Sequence, residues 1–214
     1  MNPRPRNLAT NALLDFFGQV TASATHEIKN GLAVINEQSR LAGELIELSR
    51  QGRELDPERL AGLIDRVVHR IAQTDLVVRR LNKFAHSAGL DRESVDAAEL
   101  LPLMAQMYGR LASMKKVTLV VADDLPRPVL VKNGFLVQLA IWTCLEETVA
   151  VLPKGGQADL HLRLDRKRAV FLFRGQLTET PGSPPAWLLE ALDGQAQAIG
   201  REGLQLSVPT PGGD

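Results

Sequence analysis

Cysteine, aromatic residues and long apolar runs are all scarce in this chain. The single cysteine, Cys144, excludes a disulfide within the chain and, lying in an apolar run, predicts a buried structural thiol. Aromatic residues make up only 4% of the 214 residues, which favours helices packed through Leu, Val and Ala. No run approaches the roughly 20 apolar residues that cross a bilayer, and no signal-peptide core follows the arginines near Met1. We therefore expect a cytoplasmic protein without a membrane span.

An excess of charge of either sign is also missing. Lys and Arg number 25, Asp and Glu number 25, and the formal net charge is zero. Nucleic acid and anionic membranes both favour a basic surface, so we expect neither as the main partner. No spacing of His, Cys and carboxylates matches a metal site, and we expect no bound metal.

Two long helical patterns fill the first part of the chain. The first runs from about Leu8 to Arg50, and the second begins at Asp56 and Pro57, a capping residue followed by proline at the first helical position. Apolar residues recur every three to four positions in both patterns. In the first helix they are Leu13, Phe17, Val20, Ala24, Ile28, Ile35, Ala42, Leu45 and Leu48, and in the second Leu60, Ile64, Val67, Ile71, Val78, Leu81 and Ala85, with Thr74 in the remaining slot.

Two antiparallel helices with one apolar stripe each leave part of that stripe uncovered. A second copy completing a four-helix bundle covers it, so we predict a homodimer through a helical hairpin domain, residues 1–89. Residues 90–214 form the second predicted domain, a small α/β sandwich. Its expected elements are helices at 95–114, 133–152 and 187–191, a strand at 117–121, a hairpin of 159–164 with 169–173, and a last strand at 204–208. The predicted fold class is α+β.

A short motif within the first helix brings chemically useful side chains together. His26 has small or polar neighbours one turn away and is expected to be exposed. Glu27 can orient or deprotonate an imidazole, and Asn30, one turn on, can position a water or a phosphoryl oxygen. An isolated surface histidine is most often an ordinary solvated residue. That interpretation applies to His69 and His86, which have arginines or no partner motif beside them.

The sequence from His26 to Leu32 resembles the H-box of bacterial sensor histidine kinases, usually His-Glu-x-x-Asn/Thr-Pro-Leu. This resemblance implies that His26 is the phosphoacceptor, Glu27 the general base, and Asn30 the residue that aligns water or the phosphoryl group. Gly31 departs from the pattern, because proline is usual there. Glycine also loosens a helix, so a local bend is still expected.

Residues 95–175 resemble the GHKL-type ATP-binding domain of the same kinases, in degenerate form. Trp142 and Glu146 stand where that family has the two asparagines of its N-box, the second of which holds magnesium. Phe173 takes the place of the aspartate that reads adenine, and a phenyl ring accepts no hydrogen bond. Gly175 alone remains of the nearby glycines, and a turn-rich connector at 180–185 replaces the phosphate-covering lid.

These features predict a histidine phosphotransferase of a two-component phosphorelay. It would pass a phosphoryl group between the aspartates of response-regulator receiver domains through His26, with no cofactor of its own and with Mg²⁺ supplied by the receiver. Two alternatives remain open. One is a pseudokinase scaffold that binds a kinase or receiver without carrying phosphate, and the other is a divergent kinase that still uses ATP.

Overall fold

The computed structural model describes residues 5–87 and 94–211, with side chains from residue 9 onward. Two long helices come first, α1 (Pro5–Arg50) and α2 (Pro57–Ser87). The elements that follow are β1 (Val95–Asp96), α3 (Ala97–Met114), β2 (Thr118–Val121), β3 (Leu130–Val131), α4 (Gly134–Ala150), β4 (Gln157–Asp165), β5 (Arg168–Arg174), α5 (Ala186–Ala191), β6 (Gln195–Ala198) and β7 (Gly203–Pro209). The predicted α+β class is confirmed.

The chain forms two compact units. One consists of residues 21–83, which we call the hairpin unit, and the other contains the residues up to Val20 together with those from Phe84 onward, which we call the α/β unit. Both long helices therefore contribute to both units. The predicted domain boundary between residues 89 and 90 lies outside the described residues.

Local signals set the turn of the hairpin unit where the sequence predicts it. Gly52 adopts a φ of 89°, a left-handed conformation that costs glycine little, and so ends α1. The Asp56 Oδ1 atom accepts the backbone N–H of Arg59 at 2.9 Å and so caps α2. Proline at the first helical position, Pro57, follows this cap.

The buried face of the long helices differs from the prediction at several positions. Val20, Ala24 and Ala42 are buried as expected, but Phe16 is 2% exposed whereas the predicted core residue Phe17 is 37% exposed. In α2 the buried residues are Leu63 and Phe84, neither in the predicted set, whereas Ile64, Ile71 and Val78 are exposed by a third to a half and Ala85 is exposed. A single hairpin thus leaves this part of the predicted α2 stripe uncovered, as expected of two helices with one apolar stripe each.

Gly31 lies buried on α1 against Thr74 of α2. A Cβ atom built on Gly31 would overlap the Thr74 hydroxyl oxygen, which is itself bonded to the carbonyl of Arg70 at 2.8 Å. The helix continues through Gly31 without interruption as far as Arg50. The glycine permits the close approach of the two helices, and the local bend stays a prediction.

The α/β unit is a five-stranded sheet carrying helices. The strand order is β2-β4-β5-β7-β6, with β2 parallel to β4 and the other neighbours antiparallel. The N-cap residue of α3, Asp96, accepts the N–H groups of both Ala98 and Val129 at 3.0 Å, which ties α3 to the segment entering β3. The short strands β1, β3 and β6 were not predicted. Two are only two residues long, and β6, Gln-Ala-Gln-Ala, lacks β-branched and aromatic residues.

Substituting Gly31 by alanine tests the helix approach in the hairpin unit. Because the new methyl group would overlap Thr74, the Gly31→Ala variant should lose about 1–3 kcal/mol of unfolding free energy in urea titrations. Gly43→Ala is the matched control, since a Cβ there meets nothing within 4 Å and should gain up to about 1 kcal/mol. Adding Thr74→Ala to Gly31→Ala should recover most of the loss. An equal change in unfolding free energy in Gly31→Ala and Gly43→Ala would contradict the close contact between Gly31 and Thr74.

Candidate functional site

His26 stands exposed on α1, as predicted, with Asn30 beside it. Its Nδ1 atom lies 3.0 Å from the Asn30 Nδ2 atom. Rotating the side-chain amide of Asn30 by 180° exchanges the positions of its nitrogen and its oxygen, so either atom can face the Nδ1 atom of His26. With the amide oxygen facing the ring, Nδ1 carries the proton and Nε2 keeps its lone pair. Asn30 can therefore hold the tautomer in which Nε2 is the nucleophile.

A groove of about 460 Å³ runs beside this pair within the hairpin unit. It is lined by Glu27, Asn30, Gly31, Arg70, Gln73, Thr74, Leu76, Val77 and Arg80. Asn30 thus borders both the imidazole and the groove. Glu27 is half-buried and lines the groove together with the two arginines, Arg70 and Arg80. The side chain bonded to His26 is Asn30, and the role of Glu27 as general base stays a prediction.

The sequence assigned the arginines of the groove to the surface, with Arg80 as an alternative contact for an acidic receiver. Arg70, Thr74, Val77 and Arg80 are separated by steps of four, three and three residues, which places them on one face of α2. That spacing is the sequence feature that indicates a shared face. It does not show that this face opens beside Asn30, because the way two helices pair is set by tertiary packing.

His69 offers an internal comparison for His26. It is also exposed, and its Nε2 atom lies 2.8 Å from the Gln73 Nε2 atom, again an amide four residues on. A histidine with an amide neighbour is therefore not distinctive by itself. The difference is the next residue, a carboxylate after His26 and the guanidinium of Arg70 after His69.

Trp142 occupies the interior of the α/β unit. Its side chain is 1% exposed. The centroid of its ring lies 4.8 Å from that of Tyr108 and 5.5 Å from that of Phe16, in edge-on arrangements. The position at which the resembled kinases have an asparagine is therefore part of an aromatic core. The indole fills this part of the interior.

Glu146, the second altered N-box position, is partly buried on α4. Burial raises the pKa of its carboxyl group, and Glu147 raises it further. The nearby indole N–H of Trp142 and the ammonium of Lys115 oppose the shift, although the indole N–H makes no full hydrogen bond. Burial also raises the pKa of Tyr108 to about 12, with a contribution from Glu146. The ionised form of Glu146 is thus disfavoured in the folded chain.

Phe173 and Gly175 have structural roles in the sheet. Phe173 is fully buried on β5, paired with Leu160 on β4 and Leu204 on β7. A Cβ atom at Gly175 would come within 2.7 Å of the carbonyl oxygen of Gln157, so close packing of the backbone accounts for this glycine. Neither residue presents a hydrogen-bonding side chain.

The connector after β5 is fastened to the end of α4. Thr178 donates to the carbonyl of Val151 through both its backbone N–H, at 2.9 Å, and its hydroxyl, at 2.8 Å. Gly182 donates its N–H to the Glu147 carboxylate at 3.1 Å. The segment expected to replace the lid is thus held on the helix that carries Trp142 and Glu146.

Other predicted features were located within residues 5–87 and 94–211. Cys144 is buried, as predicted, and burial raises the pKa of its thiol. No three His, Cys, Asp or Glu side chains of this part of the chain come together as metal ligands. Among the described helices, none is both long and apolar enough to cross a bilayer. His86 is exposed, as expected of a surface residue.

Comparison with known proteins gives structural similarities only. No protein-family profile matches the chain, and no curated protein does. Histidine kinases stand among the solved structures that this chain resembles. A histidine kinase from Burkholderia phymatum is 13% identical with a TM-score of 0.47, covering 92% of this chain and 98% of that one. The histidine kinase AdeS of Acinetobacter baumannii is 10% identical with a TM-score of 0.44, covering 87% and 98%.

A bacterial phosphotransferase is similar over a comparable length. It is 16% identical with a TM-score of 0.49, covering 91% of this chain and 95% of that one.

Substituting Glu146 by glutamine tests the electrostatics of α4. Folding raises the pKa of this carboxyl group. The group therefore destabilises the fold increasingly as the pH rises above the pKa that it has in the unfolded chain. Glu146→Gln should therefore be more stable than the unmodified chain near pH 7, and the difference should shrink as the pH falls to about 4. Urea unfolding across this range measures it. Glu190→Gln, at an exposed position on α5, is the control and should change little. A gain that did not depend on pH would contradict the assignment.

Proposed function

We propose that this protein is a histidine phosphotransferase of a two-component phosphorelay, in which His26 accepts a phosphoryl group from one receiver aspartate and delivers it to another. The observation that carries the proposal is the site on α1. An exposed imidazole is held through Nδ1 by Asn30, is followed by the carboxylate of Glu27, and adjoins a groove with two arginines. These are the parts that transfer between aspartate and histidine requires.

The chemistry follows from the tautomer that Asn30 can hold. The lone pair of Nε2 attacks the phosphorus of a receiver aspartyl phosphate, the P–N bond forms, and the P–O bond to the aspartate breaks. The carboxylate leaves with the electron pair. The proton on Nδ1 stays in the hydrogen bond to the Asn30 oxygen, so the ring becomes a phosphoimidazolium. Such a ring is a good leaving group, and the reverse transfer to a second receiver follows the same path.

Charge stabilisation divides between the chain and its partner. The receiver supplies Mg²⁺ for the phosphoryl oxygens. Glu27, on the adjacent position, favours the positive charge on the phosphorylated ring. Arg70 and Arg80 line the groove beside Asn30 and favour an acidic surface on the docking receiver.

The α/β unit is proposed to act without ATP. Trp142 fills the N-box position with an indole, Phe173 offers no acceptor for adenine, and the connector at 178–185 is bound to α4. These three features lie in different segments and have separate physical causes. Together they support a phosphoryl donor other than nucleotide.

A homodimer through the hairpin unit is part of the proposal. Ile64, Val68, Ile71 and Val78 are exposed by 37–60% and are separated by four, three and seven residues, a heptad stripe along α2. Apolar side chains at this spacing are covered in four-helix bundles by neighbouring helices. A second copy supplies those helices in a symmetric arrangement.

Phosphoryl transfer from a receiver tests the proposed function. The full chain is mixed with receiver domains labelled by ³²P on aspartate in the presence of Mg²⁺. Acid-labile label should appear on the unmodified chain and disappear in His26→Gln. His69→Gln removes a histidine with the same kind of amide neighbour and should keep the label.

Two results would contradict the transfer role. Label that persists in His26→Gln would place the acceptor elsewhere. Receivers that bind the chain without transferring label would support a scaffold that carries no phosphate.

A single charge in the exposed stripe tests the dimer. Val68→Glu places a carboxylate in the proposed interface and should shift the mass measured by sedimentation equilibrium from twice the 23.4 kDa chain mass toward one chain. His69→Glu adds the same group about 100° around α2 and should leave the dimer intact. A single-chain mass for the unmodified protein would refute the dimer.

A further inference from the structure

A second pocket, of about 340 Å³, opens on the α/β unit. Three cationic side chains from two segments border it, Lys132 after β3 and Lys167 with Arg168 at the start of β5. Asp193 is the carboxylate among the lining residues. Trp142, Glu146, Phe173 and Gly175 do not line this pocket, so it is separate from the degenerate nucleotide positions.

Arg168 is fixed in place by its neighbours. Its Nε atom donates to the Ser207 hydroxyl at 3.1 Å, and its Nη2 atom donates to the carbonyls of Ser207 at 3.1 Å and Asp193 at 2.7 Å. The Nη1 atom takes part in none of these bonds. A guanidinium held in this way offers its remaining N–H groups without a large loss of side-chain entropy on binding.

The β4–β5 turn is also held. The Lys167 carbonyl accepts the backbone N–H of Thr210 at 2.9 Å and its hydroxyl at 3.0 Å. Thr210 lines the pocket together with Lys167. The backbone that carries two of the three cations is therefore hydrogen-bonded to the residue that follows β7, and this side of the pocket is fixed.

The start of α4 adds to the positive potential. Asn133 lines the pocket and precedes α4 in a left-handed conformation, with φ of 54°. Its side chain makes no capping bond, and the first turn of α4 contains no acidic residue. The positive end of the helix dipole is thus left without a compensating charge from its own turn, next to Lys132.

We propose that this pocket binds a small phosphate-bearing anion. Its volume suits a compact ligand, and a fixed guanidinium with two lysines on the lining matches the negative charge of a phosphate. Inorganic phosphate and a small phosphate monoester share this chemistry. The site lies in the α/β unit, apart from His26, and gives this unit a ligand that is not a nucleotide.

Titration of the full chain tests the pocket. Sodium phosphate and glycerol phosphate are added at constant ionic strength, balanced with sodium chloride, and binding is followed by ¹⁵N-edited NMR and by the thermal midpoint. Saturable shifts should centre on the amides of Asn133, Gly134 and Arg168, and the midpoint should rise with phosphate but not with chloride. Tighter binding of glycerol phosphate would identify an ester as the ligand, and tighter binding of phosphate the free ion.

Variants at exposed lysines separate this pocket from general charge effects. Lys132→Gln and Lys167→Gln should each weaken phosphate binding by about tenfold, because each removes one charged hydrogen-bond donor from the lining. Lys154→Gln removes an exposed lysine that does not line the pocket and should bind as the unmodified chain does. Equal responses to phosphate and chloride, or equal affinity in all three variants, would overturn the proposal.

Discussion

The aromatic core around Trp142 is the packing interaction on which the α/β unit depends. Phe16 near the start of α1 and Phe84 near the end of α2 lie edge-on at 5.3 Å, and Phe16 reaches the Trp142 ring at 5.5 Å. Both phenylalanines are almost fully buried. Such rings contribute large buried area and a preferred edge-to-face geometry. The ends of both long helices are thereby built into the same core as α4, and an indole in this position is needed for packing.

The two units differ in the side chains that they place at the positions of interest. In the hairpin unit, small or polar residues surround His26, and Gly31 lets Thr74 approach closely beside the groove. In the α/β unit, Phe173 and Trp142 are core residues.

The sequence predicted the two long helices, the hairpin of β4 and β5, and the exposure of His26, because strong periodicity and turn residues determine these locally. The predicted core contained Phe17 in place of Phe16 and did not contain Leu63, because the buried side of a long helix depends on partners that spacing alone does not specify. The groove with Arg70 and the fixed Arg168 also depended on tertiary pairing. Strands of two residues left no periodic signal.

The source of the phosphoryl group tests the account most directly. The purified full chain is incubated with Mg²⁺ and ATP labelled with ³²P at the γ-phosphate, and acid-labile label on the chain is measured beside a reaction with a labelled phosphoreceiver. The account predicts label from the receiver and none from ATP. Label from ATP that disappears in His26→Gln would show that a nucleotide site functions despite Trp142 and Phe173, and would contradict the central claim.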